Sequence, residues 1–192
     1  MLESSCAMPH IGRFPAGGAA LLVVDIQAKL VDRMRFGPLV IANTSRLIHA
    51  ARALEIPVFA TEQYPQGLGP TVESLQVLLP HRTAKTRFSA FEASGILAPV
   101  NHVTLVGIET HVCILQTALD FLERGYRVQI PADAVSSRGD FDRKIALRRM
   151  EHAGATLTTT EAVLFEWVGG SDHPVFKTIS LLVRDFVPPP ID

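Results

Sequence analysis

The chain has 192 residues, a length that suits one domain, since chains usually divide only beyond about 250–300 residues. Hydrophobic residues make up 47%, enough for a substantial core, while a formal net charge of −1 gives no reason to expect nucleic acid or an anionic membrane as a partner. Two cysteines cannot build a disulfide framework, the N-terminus has no signal-like apolar segment and no apolar run approaches a membrane span, so we expect a cytoplasmic protein.

Short β-branched segments alternate with longer amphipathic segments along the chain. The predicted strands are residues 19–27, 56–61, the first part of 81–91, 101–108, 126–134 and the first part of 155–168. The predicted helices are residues 38–54, 71–79, 110–125, 140–154 and 174–186, with a helical turn closing 155–168. The N-terminal residues 1–18, which include Cys6, are predicted to form a flexible tail.

This alternation predicts βαβ units and an α/β fold. We expect a three-layer αβα sandwich around a six-stranded, mostly parallel, Rossmann-like sheet. In such sheets the ligand site lies beyond the carboxyl ends of the strands, so chemistry is expected in the last residues of each strand and in the loops that follow.

Three chemically capable residues stand at such strand ends. Asp25 ends the first strand, Lys85 ends the third, and Cys113 follows the fourth at the start of a helix. Taken singly, each has an ordinary explanation: a turn-capping carboxylate, a solvated ammonium and a small buried apolar group. A helix N-terminus, however, favours a thiolate, so we predict that Cys113 has a lowered pKa and is nucleophilic at neutral pH.

The three residues also account for one another. A thiol needs a base to take its proton, and Asp25 could serve. A nearby Lys85 ammonium would orient that carboxylate and favour its ionised form. The sequence separations are compatible with neighbouring strand ends without proving that the residues meet.

Three segments, LLVVDIQ, KTRFSAF and VGIETHVCILQTALD, resemble the signature segments of the isochorismatase-like cysteine hydrolases. The similarity covers roughly residues 19–185, which we take as a single domain followed by a C-terminal tail at 186–192. TEQYPQGLGPT together with GIETHVC is most similar to the isochorismatase-domain-containing branch, whose substrate is unsettled. The resemblance implies a six-stranded parallel sheet, a homo-oligomer and hydrolysis of a C–N bond in a small amide or N-carbamoyl compound.

By this resemblance, Asp25 is the general base, Lys85 the orienting cation and Cys113 the nucleophile that forms a thioester acyl-enzyme. The oxyanion would rest on the backbone N–H groups of Glu109 and Cys113, and the Ile108–Glu109 bond would be a cis peptide. No cofactor is implied.

The sequence departs from some members of the family. The loop TEQYPQG lacks the histidines with which nicotinamidases bind a metal, so we predict no metal site. His111 stands where the family often has aspartate, which leaves open whether it contacts the substrate, caps a helix or faces solvent. The substrate-pocket candidates are Gln27, Tyr64, Phe88, Phe91 and His111, and for the first four the alternative is core or loop packing.

Two other functions fit the same residues. A low-pKa exposed thiol would suit a single-cysteine redox protein, although no resolving cysteine is nearby. A non-catalytic binding protein could also retain the fold.

Overall fold

The computed structural model describes residues 12–190. Within them, the strands are β1 (Ala19–Val24), β2 (Val58–Gln63), β3 (Thr83–Lys85), β4 (His102–Ile108), β5 (Arg127–Pro131), β6 (Val135–Ser136) and β7 (Thr156–Thr158). The helices are α1 (Ala28–Val31), α2 (Gly37–Ala53), α3 (Pro65–Leu68), α4 (Glu73–Gln76), α5 (Phe91–Ser94), α6 (Leu115–Glu123), α7 (Asp140–His152), α8 (Thr160–Val168) and α9 (Phe176–Arg184). A π-helical turn, Thr110–Ile114, leads into α6.

The strands form one parallel sheet in the order β3-β2-β1-β4-β5-β7, with β6 paired to β4. The predicted α/β fold is therefore confirmed, although the sheet has seven strands rather than six. The additional strand, β6, contributes only two residues, which is too short a segment to show any periodicity in the sequence.

Helices cover both faces of the sheet, and β1 shows this most directly. Successive side chains of a strand point to opposite faces, so Leu21 packs in the core that includes α2 and α8, and Leu22 in the core that includes α6 and α7. Because both faces are buried, AALLVV carries no polar alternation.

The long helices lie where the sequence predicts them, but the short ones do not. The helix predicted over 71–79 shrinks to the single turn α4, and α8 has nine residues where only a turn was expected. The one-turn helices α1, α3 and α5 were not predicted, because four residues are too few to display a helical period.

Parts of both predicted tails pack against the domain. Phe14 is buried edge-on to the His102 ring, with 5.5 Å between centroids, and Phe186 lies 3.9 Å below the Arg46 guanidinium. Apolar burial and cation–π contact therefore hold two residues that the sequence assigned to a flexible N-terminal tail and to a C-terminal tail. Cys6 lies outside the described residues.

Candidate active site

The parallel sheet brings the three strand-end residues to one edge. Asp25 directly follows β1, and Cys113 lies in the π-helical turn after the adjacent strand β4. Lys85 is the last residue of β3, with β2 between it and β1. The long lysine side chain spans this gap, so residues from non-adjacent strands meet.

A glycine lets β1 and β4 approach at the height of the site. Gly107 pairs with Val24, immediately before Asp25. A Cβ atom at Gly107 would lie 2.0 Å from the Val24 carbonyl oxygen, and its φ of 125° is one that L-residues rarely adopt. Only glycine fits, because any side chain would push apart the two strands that carry Asp25 and Cys113.

Asp25 and Lys85 form a buried ion pair. Asp25 Oδ2 lies 2.6 Å from Lys85 Nζ, with side-chain exposures of 0% and 3%. The other carboxylate oxygen, Oδ1, accepts a hydrogen bond of 2.8 Å from the Thr61 hydroxyl. Asp25 also has a φ of 55°, in the left-handed region, where the chain turns out of the strand. The backbone therefore adopts an uncommon conformation at this residue, as often occurs at functional sites.

The ammonium group of Lys85 has further partners that fix its position. It donates to Gln63 Oε1 at 2.6 Å and to the Phe88 carbonyl oxygen at 2.9 Å. Gln27 in turn holds the Gln63 backbone, accepting from its N–H at 2.8 Å and donating to its carbonyl at 3.0 Å. The lysine therefore lies in a network of buried hydrogen bonds that leaves it little freedom.

Sequence reasoning missed Thr61 and Gln63. Both lie in VFATEQ, two residues apart, so they share the sheet face on which β2 meets the site. Their signal is a pair of polar side chains at alternate positions near the end of a buried strand.

Cys113 is buried beside the ion pair, and both members of the pair act on the pKa of its thiol. Burial, and then the Asp25 negative charge, raise the pKa of the thiol to about 12, while Lys85 opposes the shift. The predicted lowering of this pKa is therefore wrong, because desolvation beside a carboxylate outweighs the cationic influences. Burial likewise raises the pKa of Asp25 against the opposing effects of Lys85 and Thr61.

The backbone around the predicted oxyanion donors is held from several sides. The Ile108–Glu109 peptide bond is cis, and the Glu109 carboxylate accepts from the Arg138 N–H at 3.0 Å and from its Nε at 3.1 Å. The Thr117 hydroxyl donates to the Cys113 carbonyl oxygen at 2.6 Å. These contacts fix the segment that carries the Glu109 and Cys113 N–H groups.

A cavity of about 350 Å³ lies beside Lys85, and Tyr64 and Arg87 line it. The other predicted pocket residues have different surroundings. Gln27 is fully buried and binds backbone, and Phe91 packs on Phe121 with 4.7 Å between ring centroids.

Two further pocket candidates also lie outside that cavity wall. Phe88 is 53% exposed, and its backbone carbonyl oxygen accepts from Lys85. His111 Nδ1 lies 3.0 Å from the Ser137 hydroxyl, on the loop that follows β6. Of the five candidates, Tyr64 alone lines this cavity.

Among residues 12–190, no three His, Cys, Asp or Glu side chains come together as a metal-binding group. Across the same residues, no helix combines the length and apolar character needed to cross a bilayer.

The Isochorismatase domain family model matches residues 19–162 of the chain. Isochorismatase domain-containing protein 2 from Homo sapiens is 40% identical over 188 residues, which cover 96% of this chain and 92% of the human protein. The structure of the MAR1 ribonuclease from Caenorhabditis elegans is 44% identical, with a TM-score of 0.84 over 93% of this chain and 95% of that one. YcaC from Escherichia coli, described as an octameric hydrolase of unknown specificity, is 26% identical, with a TM-score of 0.80 over 94% and 93% of the two chains.

Proposed function

The chain belongs to the isochorismatase family, whose fold is that of a hydrolase, and we propose that it is a cofactor-free cysteine hydrolase. Its substrate class would be small amides or N-carbamoyl compounds, which it would cleave at a C–N bond through a thioester. One observation carries this proposal: the buried Cys113 thiol lies beside a buried carboxylate and ammonium that are 2.6 Å apart and that both act on its pKa. A nucleophile, a base and a cation that orients the base thus share one site.

The first half of the reaction forms the thioester. Asp25 takes the proton of the Cys113 thiol as the sulfur attacks the substrate carbonyl carbon, and the carbonyl electron pair moves to oxygen. The N–H groups of Glu109 and Cys113 stabilise this oxyanion. The intermediate collapses, the C–N bond breaks, and protonated Asp25 gives its proton to the departing nitrogen.

The second half regenerates the protein. Asp25 takes a proton from water as the water oxygen attacks the thioester carbon, and the C–S bond then breaks. The proton returns from Asp25 to sulfur, and the acid leaves. Lys85 takes no part in these proton transfers and holds the carboxylate towards the thiol.

The raised thiol pKa supports one of two versions of this chemistry. A preformed thiolate would need a pKa near or below neutrality, whereas the Cys113 pKa is raised to about 12. The nucleophile is therefore a neutral thiol that loses its proton during attack. The redox alternative is disfavoured for the same reason, since the thiolate is the form that peroxides oxidise. A reduced, cytoplasmic setting would keep the thiol free.

The experiment is a panel of small amides, N-carbamoyl compounds and ureas, tested with wild type, Cys113→Ala and Cys6→Ala. We expect turnover that Cys113→Ala reduces to background and that Cys6→Ala preserves, since the chain has only these two cysteines. Mass spectrometry of the quenched reaction should show the acyl group on the peptide that contains Cys113. Wild-type turnover in Cys113→Ala would overturn the proposal, and an inactive wild type would favour a binding protein.

RNA hydrolysis is a second candidate, because a relative with 44% identity is named a ribonuclease. The formal net charge of −1 does not favour a polyanionic substrate. Incubation of the same three proteins with labelled single-stranded RNA separates the candidates. Cleavage that co-purifies with wild type and disappears in Cys113→Ala would assign the site to RNA.

We also propose a homo-oligomer, on the basis of the octameric relative. Sedimentation equilibrium would measure the number of subunits, and a strictly monomeric protein would contradict this assignment.

A further inference from the structure

We propose that Tyr64 and Gly67 act together as a specificity device: Gly67 lets the Tyr64 ring lie flat against the chain, and the ring forms the wall that selects the substituent carried by the substrate. The inference rests on the proposed function for its substrate class. Gly67 is the positioning residue, and Tyr64 is the residue that contacts the ligand.

The space above Gly67 is occupied by the Tyr64 ring. A Cβ atom at residue 67 would lie 2.3 Å from Tyr64 Cε1 and 2.5 Å from Cδ1, far inside van der Waals contact. Gly67 does not have the positive φ that excludes side chains, so its backbone would accept alanine. The ring is therefore the group that a methyl group at this position displaces.

Backbone hydrogen bonds fix both residues. The Gly67 N–H donates to the Tyr64 carbonyl oxygen at 3.0 Å, and Lys29 Nζ donates to the Gly67 carbonyl oxygen at 3.0 Å. The Tyr64 N–H donates to the Lys85 carbonyl oxygen at 2.8 Å. The Tyr64 backbone is thus anchored one hydrogen bond away from the residue that orients Asp25.

The ring itself remains free to swing. Tyr64 is 54% exposed and has a left-handed φ of 37°, and no hydrogen bond of the described residues involves its hydroxyl group. A displaced ring can move into solvent without disturbing the core. Gly67→Ala should therefore change the cavity and leave the fold intact.

The cavity wall indicates the kind of substituent. Tyr64, Pro65 and Ala93 present apolar surface, while Arg87 and Glu92 form an ion pair with each other, 3.4 Å apart. Lys85, which also lines the cavity, is paired with the buried Asp25, so each charge of the wall already has a partner. Such a wall favours an uncharged group, and a flat apolar group would stack on the tyrosine ring. The volume of about 350 Å³ lies at the small end of the range for ligand pockets, which suits a group of about the size of a phenyl ring.

The first test concerns geometry alone. The chain has only two tyrosines, Tyr64 and Tyr126, so ring-labelled protein gives two tyrosine signals by NMR. Gly67→Ala should shift the Tyr64 signal and leave Tyr126, which packs on Phe121, unchanged as a reporter of the fold. Gly17→Ala is the matched control, because a Cβ atom at residue 17 meets nothing within 4 Å. An unmoved Tyr64 signal in Gly67→Ala would overturn the proposal.

The second test measures selection as binding, in a Cys113→Ala background in which the amide is not consumed. Benzamide should perturb the Tyr64 signal, and Gly67→Ala should weaken benzamide binding about tenfold while changing propionamide binding less than about twofold. In a Tyr64→Ala background, monitored by chemical-shift mapping of backbone amides, Gly67→Ala should have no effect on either amide.

Two other outcomes would each contradict the proposal that Gly67 acts through the Tyr64 ring. An effect of Gly67→Ala that persists without Tyr64 would show that Gly67 acts independently of the ring. Benzamide that leaves the Tyr64 signal unchanged would show that the ring does not contact the ligand. Amide binding is measured without turnover. An inactive wild type would therefore reject the proposed function, and the binding test would still show whether the Tyr64 ring contacts the amide.

Discussion

Two ion pairs, Asp25–Lys85 and Arg87–Glu92, have very different surroundings, although Lys85 and Arg87 are only two residues apart in the chain. Lys85 and Asp25 are 2.6 Å apart, with side-chain exposures of 3% and 0%. Arg87 and Glu92, which line the neighbouring cavity, are 3.4 Å apart and 72% and 65% exposed. The first pair is held by Thr61 and by the other partners of Lys85, whereas the second meets water.

Under the proposed function, the first pair belongs to the chemistry and the second to substrate recognition. A buried charge is costly unless it is paired, so the Asp25–Lys85 pair depends on both members and on the hydrogen bonds around it. An exposed pair gains little, because water and salt screen it, and either partner can change at low cost. Substitutions in the buried Asp25–Lys85 pair should therefore reduce folding stability, whereas substitutions in the exposed pair of the cavity wall should hardly change it.

The largest effect should come from Lys85→Met, which leaves Asp25 buried without its counter-charge. We expect a loss of about 3–5 kcal/mol in the free energy of unfolding at pH 8, measured by urea denaturation. Burial already raises the Asp25 pKa, and loss of Lys85 raises it further. The folded state then binds the proton more tightly than the unfolded state, so the loss should grow as pH rises above about 4 and be smaller at pH 5 than at pH 8.

Arg82→Met is the matched control for that variant. It removes one member of the Arg82–Glu62 pair, which is 3.0 Å apart but 22% and 12% exposed. Its cost should be clearly smaller and nearly independent of pH between 5 and 8. Equal costs for the two variants would show that burial does not set the difference between the pairs.

The same contrast explains what the sequence could predict. Asp25, Lys85 and Cys113 end or follow strands of an α/β pattern, and the parallel sheet forces such ends to one edge, so their meeting could be expected. The protonation state of Cys113 could not be predicted from the sequence, because it depends on the desolvation of the thiol and on the charges near it. Whether Phe91 lines a pocket or packs in the core was left open, because its ring packs on Phe121, a tertiary contact that local composition does not reveal.

A second effect concerns folding stability at high pH and tests whether the Cys113 thiol is buried. Because the Cys113 pKa is raised from 9.0 to about 12, the folded state keeps a proton that the unfolded state loses. Stability should therefore fall as pH rises through this window, by up to about 1.4 kcal/mol per pH unit. Denaturant unfolding from pH 8 to 11 should show a steeper decline for wild type than for Cys113→Ala. Parallel curves for the two proteins would mean that the thiol is not protected by burial.

A third and smaller effect tests the hydrogen bond that holds Asp25. Thr61→Val keeps the shape of the side chain but removes the donor to Asp25 Oδ1, a contact that lowers the carboxyl pKa. We expect kcat/KM at neutral pH to fall at least about tenfold, since a lost hydrogen bond to a charged group costs about 1.5–3 kcal/mol, and the acidic limb of its pH profile to move to higher pH. Thr61→Ser retains the hydroxyl and should restore the profile. A uniform loss of activity with no shift would reduce Thr61 to a packing residue.

The smallest effect should come from Arg87→Met, the exposed counterpart of Lys85→Met only two residues away. Removing this guanidinium breaks the pair with Glu92, yet both groups already face water, so we expect a change in unfolding free energy below about 0.5 kcal/mol. Adding 0.5 M salt should erase even that difference, because screening acts on exposed charges far more than on buried ones. A loss above about 2 kcal/mol that survives salt would show that the cavity wall is as rigidly coupled to the fold as the centre. The wall could then no longer vary independently of the groups that perform the chemistry.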